Sequence, residues 1–138
     1  MFDHLSLTVS DFDKALAFYS AALAPLGYGC VQIMERGDRS AGFGRGKALQ
    51  FWISEGADAS GQLHFAFQAE DHKAVDAFYA AAIAAGGRSN GEPGIRERHH
   101  ASYYAAFVLD PAGHNVEVVC HFPGRLEDQF ADPDAISG

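Results

Sequence analysis

Residues 4–27, HLSLTVSDFDKALAFYSAALAPLG, are matched 60 positions later by residues 64–87, HFAFQAEDHKAVDAFYAAAIAAGG. Nine of the 24 aligned positions are identical, with no gap. The alanine matches carry little weight in an alanine-rich chain, but the matched His, Asp, Phe-Tyr and Gly positions do. Because self-similarity at a fixed offset is typical of a duplicated unit, we predict that the chain contains two copies of one module.

Each copy begins with a short apolar run, residues 4–9 and 63–69, that is typical of a strand. A helix is predicted next, because Ser10 or Asp11, and Glu70 or Asp71, can accept hydrogen bonds from free backbone N–H groups at a helix start. Glycines at 27 and at 86–87 end the two helices. Further strands are predicted at 28–34, 40–44 and 49–54 in the first copy, and at 87–90, 103–109 and 115–120 in the second. The predicted order is therefore βαβββ, twice.

A length of 138 residues suits one domain. We predict that this domain covers residues 1–122, with modules at about 1–55 and 63–121, and that 123–138 form a loose tail. The net charge of −8, with no cluster of Lys or Arg, argues against nucleic acid and against an anionic membrane surface as partners. No apolar run reaches the ~18 residues that a membrane span needs.

The two cysteines, Cys30 and Cys120, lack the spacing of a metal or redox motif, and we expect buried free thiols, with a single disulfide as the alternative. Asp3 and His4 stand where a secretory signal would carry Lys or Arg. We therefore expect the protein to be cytoplasmic.

Two of the seven histidines, His4 and His64, occupy equivalent positions at the start of the two copies. If the copies pair about a pseudo-twofold axis, the two imidazoles can approach each other, and imidazole is a common ligand of transition metals. Glu117 is the one charged residue in the apolar strand NVEVVC, and a carboxylate buried there needs a cation or hydrogen bonds. Superposing residues 48–53 on this strand places Gln50 opposite Glu117. We predict that His4, Gln50, His64 and Glu117 converge on a metal.

The segment 91–104, GEPGIRERHHASYY, is the predicted substrate loop. Arg96 or Arg98 can hold an anionic group, and His99, His100 and Tyr104 are further candidate contacts, as is Trp52 on the strand that carries Gln50. The alternative is an ordinary solvated hairpin loop. His72 and His114 are predicted to be surface residues, and His121 to be structural.

These features together resemble the vicinal oxygen chelate superfamily, which includes glyoxalase I, bleomycin-resistance proteins, extradiol dioxygenases and methylmalonyl-CoA epimerase. The resemblance covers residues 1–121 and rests on the paired modules, the DHLSLTVSD start, the second His64 and the LDPAGHNVEVV hairpin. It implies an α+β glyoxalase-like fold, in which paired βαβββ modules form an incomplete eight-stranded barrel around a divalent metal (Zn, Ni, Mn, Co or Fe). His4, His64 and Glu117 match its ligand positions, Gln50 matches by register, and a homodimer is expected.

The resemblance implies three functions. The first is a metal-dependent lyase, isomerase or epimerase that chelates a small substrate through vicinal oxygens and stabilises an enolate. Glu117 and Glu35 are the candidate catalytic carboxylates of this enzyme. Gln50 cannot act as a base, and this argues against glyoxalase I itself. The second is an Fe(II) extradiol-type dioxygenase, with His99 or His100 as acid–base residues. The third is a non-catalytic small-molecule binding protein of the bleomycin-resistance type.

Overall fold

The computed structural model describes residues 2–46, 48–58 and 61–123. Within these ranges the order of elements is βαβββ in each half, as the repeat predicts. The elements are β1 (Leu5–Val9), α1 (Phe12–Leu23), a 3-10 turn (Ala24–Leu26), β2 (Gly29–Met34), β3 (Ser40–Arg45), β4 (Ala48–Glu55), β5 (His64–Gln68), α2 (His72–Ala84), β6 (Arg88–Ile95), β7 (Tyr104–Leu109) and β8 (Asn115–Cys120). The predicted tail lies, apart from Pro123, outside the described residues.

The strands form two four-stranded sheets with the same topology, β1-β4-β3-β2 in the first module and β5-β8-β7-β6 in the second. In each sheet the first and last strands of the module pair in parallel, and the other pairs are antiparallel. The predicted α+β class is confirmed. Within the described residues no strand of one sheet pairs with a strand of the other, so the eight strands do not close into one barrel.

The two helices begin at the aspartates that the repeat aligns. The Asp11 carboxylate accepts a hydrogen bond from the backbone N–H of Lys14, and the Asp71 carboxylate accepts one from that of Ala74. Each helix covers one face of its own sheet, and α1 also packs against α2. Among the described residues no helix has the length and apolar character that crossing a membrane requires.

Three of the aligned positions, Phe18, Tyr19 and Phe78, lie in the hydrophobic core, and Tyr79 packs partly buried against it. Phe18, Tyr19 and Phe78 are fully buried, and the Tyr19 hydroxyl donates to the Asp110 carboxylate at 2.5 Å. Burial, together with the neighbouring Asp110 charge, raises the pKa of Tyr19 well above its usual value. Gly87 allows close packing, because a β-carbon there would lie 2.7 Å from the Phe18 ring.

The structure corrects the predicted exposure of His114 and the predicted burial of Cys30. His114 is only 1% exposed, although its position in a hairpin turn predicts a surface residue. The Asp110 carboxylate accepts from the backbone N–H of His114, and the His114 Nδ1 atom accepts from that of Leu63. These bonds hold the ring inside the protein. Cys120 is buried as predicted, whereas Cys30 is exposed on β2, and both are free thiols.

Candidate metal centre

His64 and Glu117 are adjacent on the sheet of the second module. His64 begins β5, Glu117 lies in the middle of β8, and these two strands pair in parallel. The His64 Nε2 atom lies 3.1 Å from the Glu117 Oε1 atom. The Glu117 side chain is 5% exposed and the His64 side chain is 52% exposed. The pair therefore combines a buried carboxylate with an imidazole that is open to a ligand.

The hydrogen bonds of His64 determine which of its nitrogens is free. The His64 Nδ1 atom lies 3.1 Å from the backbone carbonyl oxygen of Asn115. A carbonyl oxygen only accepts, so Nδ1 carries the proton, and in the neutral ring Nε2 is an unprotonated acceptor. An ionised carboxylate is also an acceptor. Two acceptors that face each other at 3.1 Å need a proton or a cation between them.

Tyr103 completes the surroundings of the carboxylate. Its hydroxyl donates a short hydrogen bond to the Glu117 Oε2 atom, which leaves Oε1 facing His64. Burial, the hydrogen bond to Glu117 and the charge of Glu117 raise the pKa of Tyr103 to about 12. The phenol therefore remains a neutral donor at neutral pH, and it fixes the direction in which the carboxylate presents its other oxygen.

The two predicted ligands of the first module border a cleft that His64 also borders. This cleft has a volume of about 450 Å³, and its lining includes His4, Gln50 and His64. His4 precedes β1, and its Nδ1 atom lies 2.7 Å from the Asp3 carboxylate. No group of three His, Cys, Asp or Glu side chains in the part of the chain that the structure describes is arranged to hold a metal ion. This chain therefore brings His64 and Glu117 together, but it does not bring His4 into the same group.

The strand registers change the equivalence that the sequence superposition predicts for Gln50. In the first module Ser6 pairs with Trp52, and in the second module Ala66, 60 positions after Ser6, pairs with Glu117. Trp52, rather than Gln50, is therefore the counterpart of Glu117. The superposition is wrong by two residues, a shift that keeps a side chain on the same face of the strand.

The neighbours of these two counterparts on the adjacent strand also differ. Gly42 pairs with Trp52 on β3 and β4, whereas Phe107 pairs with Glu117 on β7 and β8. A β-carbon on Gly42 would lie 2.8 Å from the Trp52 ring. The indole thus occupies the space that a side chain at position 42 would fill.

Several polar side chains of the predicted substrate loop, residues 91–104, form hydrogen bonds within the loop itself. The Arg96 guanidinium donates to the backbone carbonyls of Gly94 and Glu92 and lies over the Phe107 ring. Arg98 is exposed, and the His99 ring packs on Tyr103 with a distance of 4.5 Å between ring centroids.

His100 is held within the same loop. Its Nδ1 atom accepts from the backbone N–H of Ser102, so Nε2 carries the proton of the neutral ring and donates to the His121 Nδ1 atom at 3.0 Å. The loop thus contacts Glu117 through Tyr103, and neither the His100 nitrogens nor the Arg96 donors that bind these carbonyls are free for a substrate.

The structure places two other predicted site residues away from the His64–Glu117 pair. The Tyr104 hydroxyl donates to Asp76 of α2, and its ring stacks on His72, so it faces the helix. Glu35 is exposed between β2 and β3, at the sheet edge farthest from β1. Neither residue borders the cleft that His4 and His64 share.

Sequence reasoning chose Tyr104 as a substrate contact and gave Tyr103 no role. Adjacent strand residues point to opposite faces, so one of two consecutive tyrosines should face Glu117. The structure shows that it is Tyr103, because its hydroxyl donates to Glu117, whereas the Tyr104 hydroxyl donates to Asp76 of α2.

The donor atoms present fit a divalent metal ion of the kind that the resemblance implies. Two ligand atoms that each lie about 2.1 Å from one ion at a right angle are about 3.0 Å apart. The distance from His64 Nε2 to Glu117 Oε1 is close to that value. Imidazole and carboxylate are suited to Zn, Fe, Ni and Mn, and the His64 Nδ1 bond to a carbonyl fixes the ring, as it does for many metal-binding histidines.

Comparison with known proteins gives a family match and several structural relatives. The family model described as Glyoxalase/Bleomycin resistance protein/Dioxygenase superfamily matches residues 1–118. A glyoxalase/bleomycin resistance protein from Albidiferax ferrireducens is 29% identical, with a TM-score of 0.72 over 87% of this chain and 98% of that chain. A family enzyme from Burkholderia phytofirmans is 22% identical, with a TM-score of 0.66 over 87% and 98%.

Glyoxalase I from Zea mays is 22% identical, with a TM-score of 0.66 over 86% of this chain. This chain spans 43% of that protein, so the likeness concerns the fold. A search of curated proteins found no match.

Proposed function

The chain belongs to the glyoxalase, bleomycin resistance protein and dioxygenase superfamily, and from that membership we propose that it is a divalent-metal-dependent enzyme of the lyase, isomerase or epimerase type. It would act on a small substrate that presents two vicinal oxygens. His64 and Glu117 are the proposed ligands from the second module, and His4 is the proposed ligand from the first. Gln50, which borders the same cleft as His4 and His64, is a further candidate.

The observation that carries this proposal is the contact between His64 Nε2 and Glu117 Oε1. A buried carboxylate is costly without a cation or full hydrogen bonding, and Tyr103 satisfies only one of the two oxygens of Glu117. The other oxygen faces an imidazole nitrogen that is itself an acceptor in the neutral ring. A ligand set for a cation explains both features at once.

Two histidines and one carboxylate leave coordination positions open for a chelating substrate. A divalent ion held there would supply Lewis-acid stabilisation of the negative charge that develops on substrate oxygens. The residues of the chain would fix the substrate beside His64 and hold the Glu117 carboxylate in one orientation through Tyr103. The aromatic walls of the cleft, which include Phe65 and Phe67, would exclude water.

A second candidate function is an Fe(II) ring-cleaving dioxygenase, and the strand register favours it. Trp52 occupies the place where a fourth ligand would be equivalent to Glu117, and an indole does not bind metals. Three ligands of the 2-His-1-carboxylate type are typical of non-haem Fe(II) oxygenases. An isomerase also needs a base, and Glu35 is not at the cleft.

Metal titration tests the proposal directly. We expect calorimetry with Zn²⁺, Ni²⁺ or Fe²⁺ to show one ion per site, and Glu117→Gln to weaken binding about 100-fold, because a buried charged ligand is lost. Glu97→Gln, in an exposed turn, is the matched control and should bind like wild type. Equal binding by all three proteins, or none by any, would refute the metal proposal.

The reaction type is read from the loaded enzyme. Oxygen uptake with catechol on the Fe(II) protein would identify the dioxygenase, and proton exchange on a substrate without oxygen uptake would identify the isomerase type. Drug binding that a chelator leaves unchanged would point instead to a binding protein.

We also propose that the protein is a homodimer whose two copies share metal sites, because this chain alone does not group His4 with His64 and Glu117. Light scattering should give twice the chain mass. His4→Ala and Glu117→Ala chains, each deficient alone, should regain tight metal binding when they are refolded together. In such a mixed dimer one site has both substitutions and the other has neither. A dimer that regains no binding would place each site within one chain.

A further inference from the structure

We propose that Arg96 is a positioning residue of the metal centre. Its guanidinium and its backbone hold two aromatic side chains, Phe107 and Tyr103, in place. These two side chains in turn adjoin the proposed ligands His64 and Glu117. The inference rests on the proposed function for the metal itself. It goes beyond that function because it assigns Arg96 to the orientation of the ligands, whereas the sequence predicts a contact with an anionic substrate.

The backbone of Arg96 closes the loop that carries Tyr103. Residues 96–103 join β6 to β7, and the backbone N–H of Arg96 donates to the carbonyl oxygen of Tyr103 at 2.8 Å. The Arg96 carbonyl oxygen accepts from the backbone N–H of His99 at 3.0 Å. Arg96 is therefore a fixed end of the loop, and its partner across the loop is the residue whose hydroxyl donates to Glu117.

The guanidinium of Arg96 lies over the Phe107 ring, with 5.5 Å between its Cζ atom and the ring centroid. The His64 ring stacks with the same ring, with 6.3 Å between the centroids and 26° between the planes. Phe107 is also the register partner of Glu117, and the β-carbons of such partners are about 4.5–5.5 Å apart. Since β7 lies between β8 and β6, Arg96 supports the ring from the side away from both ligands.

Both ends of the guanidinium are held by backbone carbonyls. The Nη1 atom donates to the Gly94 carbonyl at 2.9 Å, and the Nη2 atom donates to the Glu92 carbonyl at 2.7 Å. The ladder between β6 and β7 is interrupted from Ser89 to Gly91 and again from Gly91 to Gly94. Such bulges leave residues unpaired, and Glu92 has no partner residue on β7. The fork of Arg96 supplies the donor for its carbonyl.

Two glycines of β6 leave room for this arrangement. A β-carbon on Gly91 would lie 3.0 Å from the Phe107 Cδ2 atom and 3.2 Å from the Arg96 Nη2 atom. A β-carbon on Gly94 would lie 3.2 Å from the Arg96 Nη1 atom. A side chain at either position would crowd the guanidinium. The shape of β6 therefore fits Arg96 in the orientation that supports the Phe107 ring.

The sign of the change in metal affinity tests the proposal. Removal of a cation near a metal site should by electrostatics alone strengthen the binding of a divalent ion. Loss of a residue that orients metal ligands weakens binding about 10- to 100-fold. In calorimetric titrations with Co²⁺ we therefore expect Arg96→Met to bind at least about 10-fold more weakly than wild type.

Arg88→Met is the matched control for the lost charge. Arg88 begins the strand that Arg96 follows. It is exposed, and its guanidinium pairs with no carboxylate of the described residues. Arg88→Met should therefore bind Co²⁺ at least as tightly as wild type.

A spectroscopic readout in the metal-free protein follows the hydroxyl of Tyr103. In protein isotopically labelled at the tyrosine Cζ carbons, the Tyr103 resonance is identified by its loss in Tyr103→Phe. It should shift in Arg96→Met toward the position of an exposed tyrosine and stay in place in Arg88→Met. The Tyr19 resonance should stay in place in both variants, because its hydroxyl donates to Asp110 in the core. A fixed Tyr19 resonance shows that the fold is intact.

Two further variants change the support without removing the cation. Arg96→Lys cannot donate to both carbonyls and also lie flat on the ring, so it should recover only part of the Co²⁺ affinity. Gly94→Ala crowds the guanidinium and should weaken Co²⁺ binding, and it tests the proposal even if Arg96→Met does not fold. Gly29→Ala is its matched control, because a β-carbon there meets nothing within 4 Å.

Failure of this inference and failure of the proposed function give different results. If wild type binds no Co²⁺, the metal proposal is wrong, and a shifted Tyr103 resonance in Arg96→Met still shows that Arg96 holds Tyr103 against Glu117. If wild type binds Co²⁺ and Arg96→Met binds it as tightly as Arg88→Met does, the positioning role is overturned. An unshifted Tyr103 resonance in Arg96→Met overturns it in either case.

Discussion

Tyr103→Phe removes one hydroxyl and keeps the ring, which makes it the most direct test of how Glu117 is held. The lost bond is a phenol donating to a carboxylate that is 5% exposed. Hydrogen bonds to charged groups contribute about 1.5 to 3 kcal/mol. At about 1.4 kcal/mol for each factor of ten, the affinity for a divalent metal should fall roughly 10- to 100-fold. Substitution of residues that orient metal ligands has effects of the same size.

The next residue provides the control. Tyr104 is also half-buried, its hydroxyl also donates to a carboxylate, Asp76, and its pKa is also raised to about 12, first by burial and then by Asp76. It faces the helix rather than Glu117. In calorimetric titrations with Zn²⁺, Tyr104→Phe should bind like wild type while Tyr103→Phe is weakened. Equal affinities of these two variants would show that Tyr103 does not orient the carboxylate.

Alkaline pH gives an independent readout of the same bond. The pKa of Tyr103 is raised from 10.0 to about 12 by burial and by Glu117. Because the folded protein favours the protonated phenol, this contribution to stability is complete below pH 10 and is lost as the pH rises through about 12. Urea unfolding between pH 10 and 12 should therefore show a steeper loss of stability in wild type than in Tyr103→Phe. An equal loss of stability with pH in the two proteins would contradict the raised pKa of Tyr103.

Two further predictions concern the scaffold. Asp110→Ala should lower the free energy of unfolding by about 3 kcal/mol, because the Tyr19 hydroxyl and two backbone N–H groups lose a buried acceptor. Tyr19→Phe should lower it by only about half as much. Equal urea midpoints for the two variants would contradict this account. Gly44→Ala should destabilise the β3–β4 hairpin strongly, because a β-carbon at this position would overlap the Ala48 carbonyl. Gly29→Ala is the control and should not destabilise the protein. A wild-type melting temperature for Gly44→Ala would contradict this prediction.

The module order followed from the sequence because its signals are local or repeated. The helix caps at Asp11 and Asp71 lie next to the helices that they start. The buried Phe18 and Phe78 lie at the aligned positions of the two copies. The loop before β7 was predicted only in part, because residues 91–95 of the predicted loop 91–104 belong to β6. The sequence does not predict that Arg96 binds the carbonyls of Glu92 and Gly94, because β6 places those carbonyls only in the folded chain.

His114 shows where local signals mislead. A histidine after Asp-Pro-Ala-Gly has the sequence context of an exposed turn, yet its ring is buried and accepts a hydrogen bond from the backbone N–H of Leu63, 51 residues earlier in the chain. The choice between Tyr103 and Tyr104 failed for a related reason. Both are near the end of one strand, and only the hydroxyl contacts in the folded chain show which of them faces Glu117.

By itself the sequence determined the duplication, the order of the elements and the likeness between His4 and His64, because each is written in matched residues or in short-range periodicity. Only the tertiary structure decided that Trp52, and not Gln50, is the counterpart of Glu117. The alternation of side chains along a strand specifies which face a residue occupies. A shift of two residues preserves that face, so the pattern along β4 is the same in either register. Pairing with β1, more than 40 residues earlier in the chain, selects one register through backbone hydrogen bonds and packing.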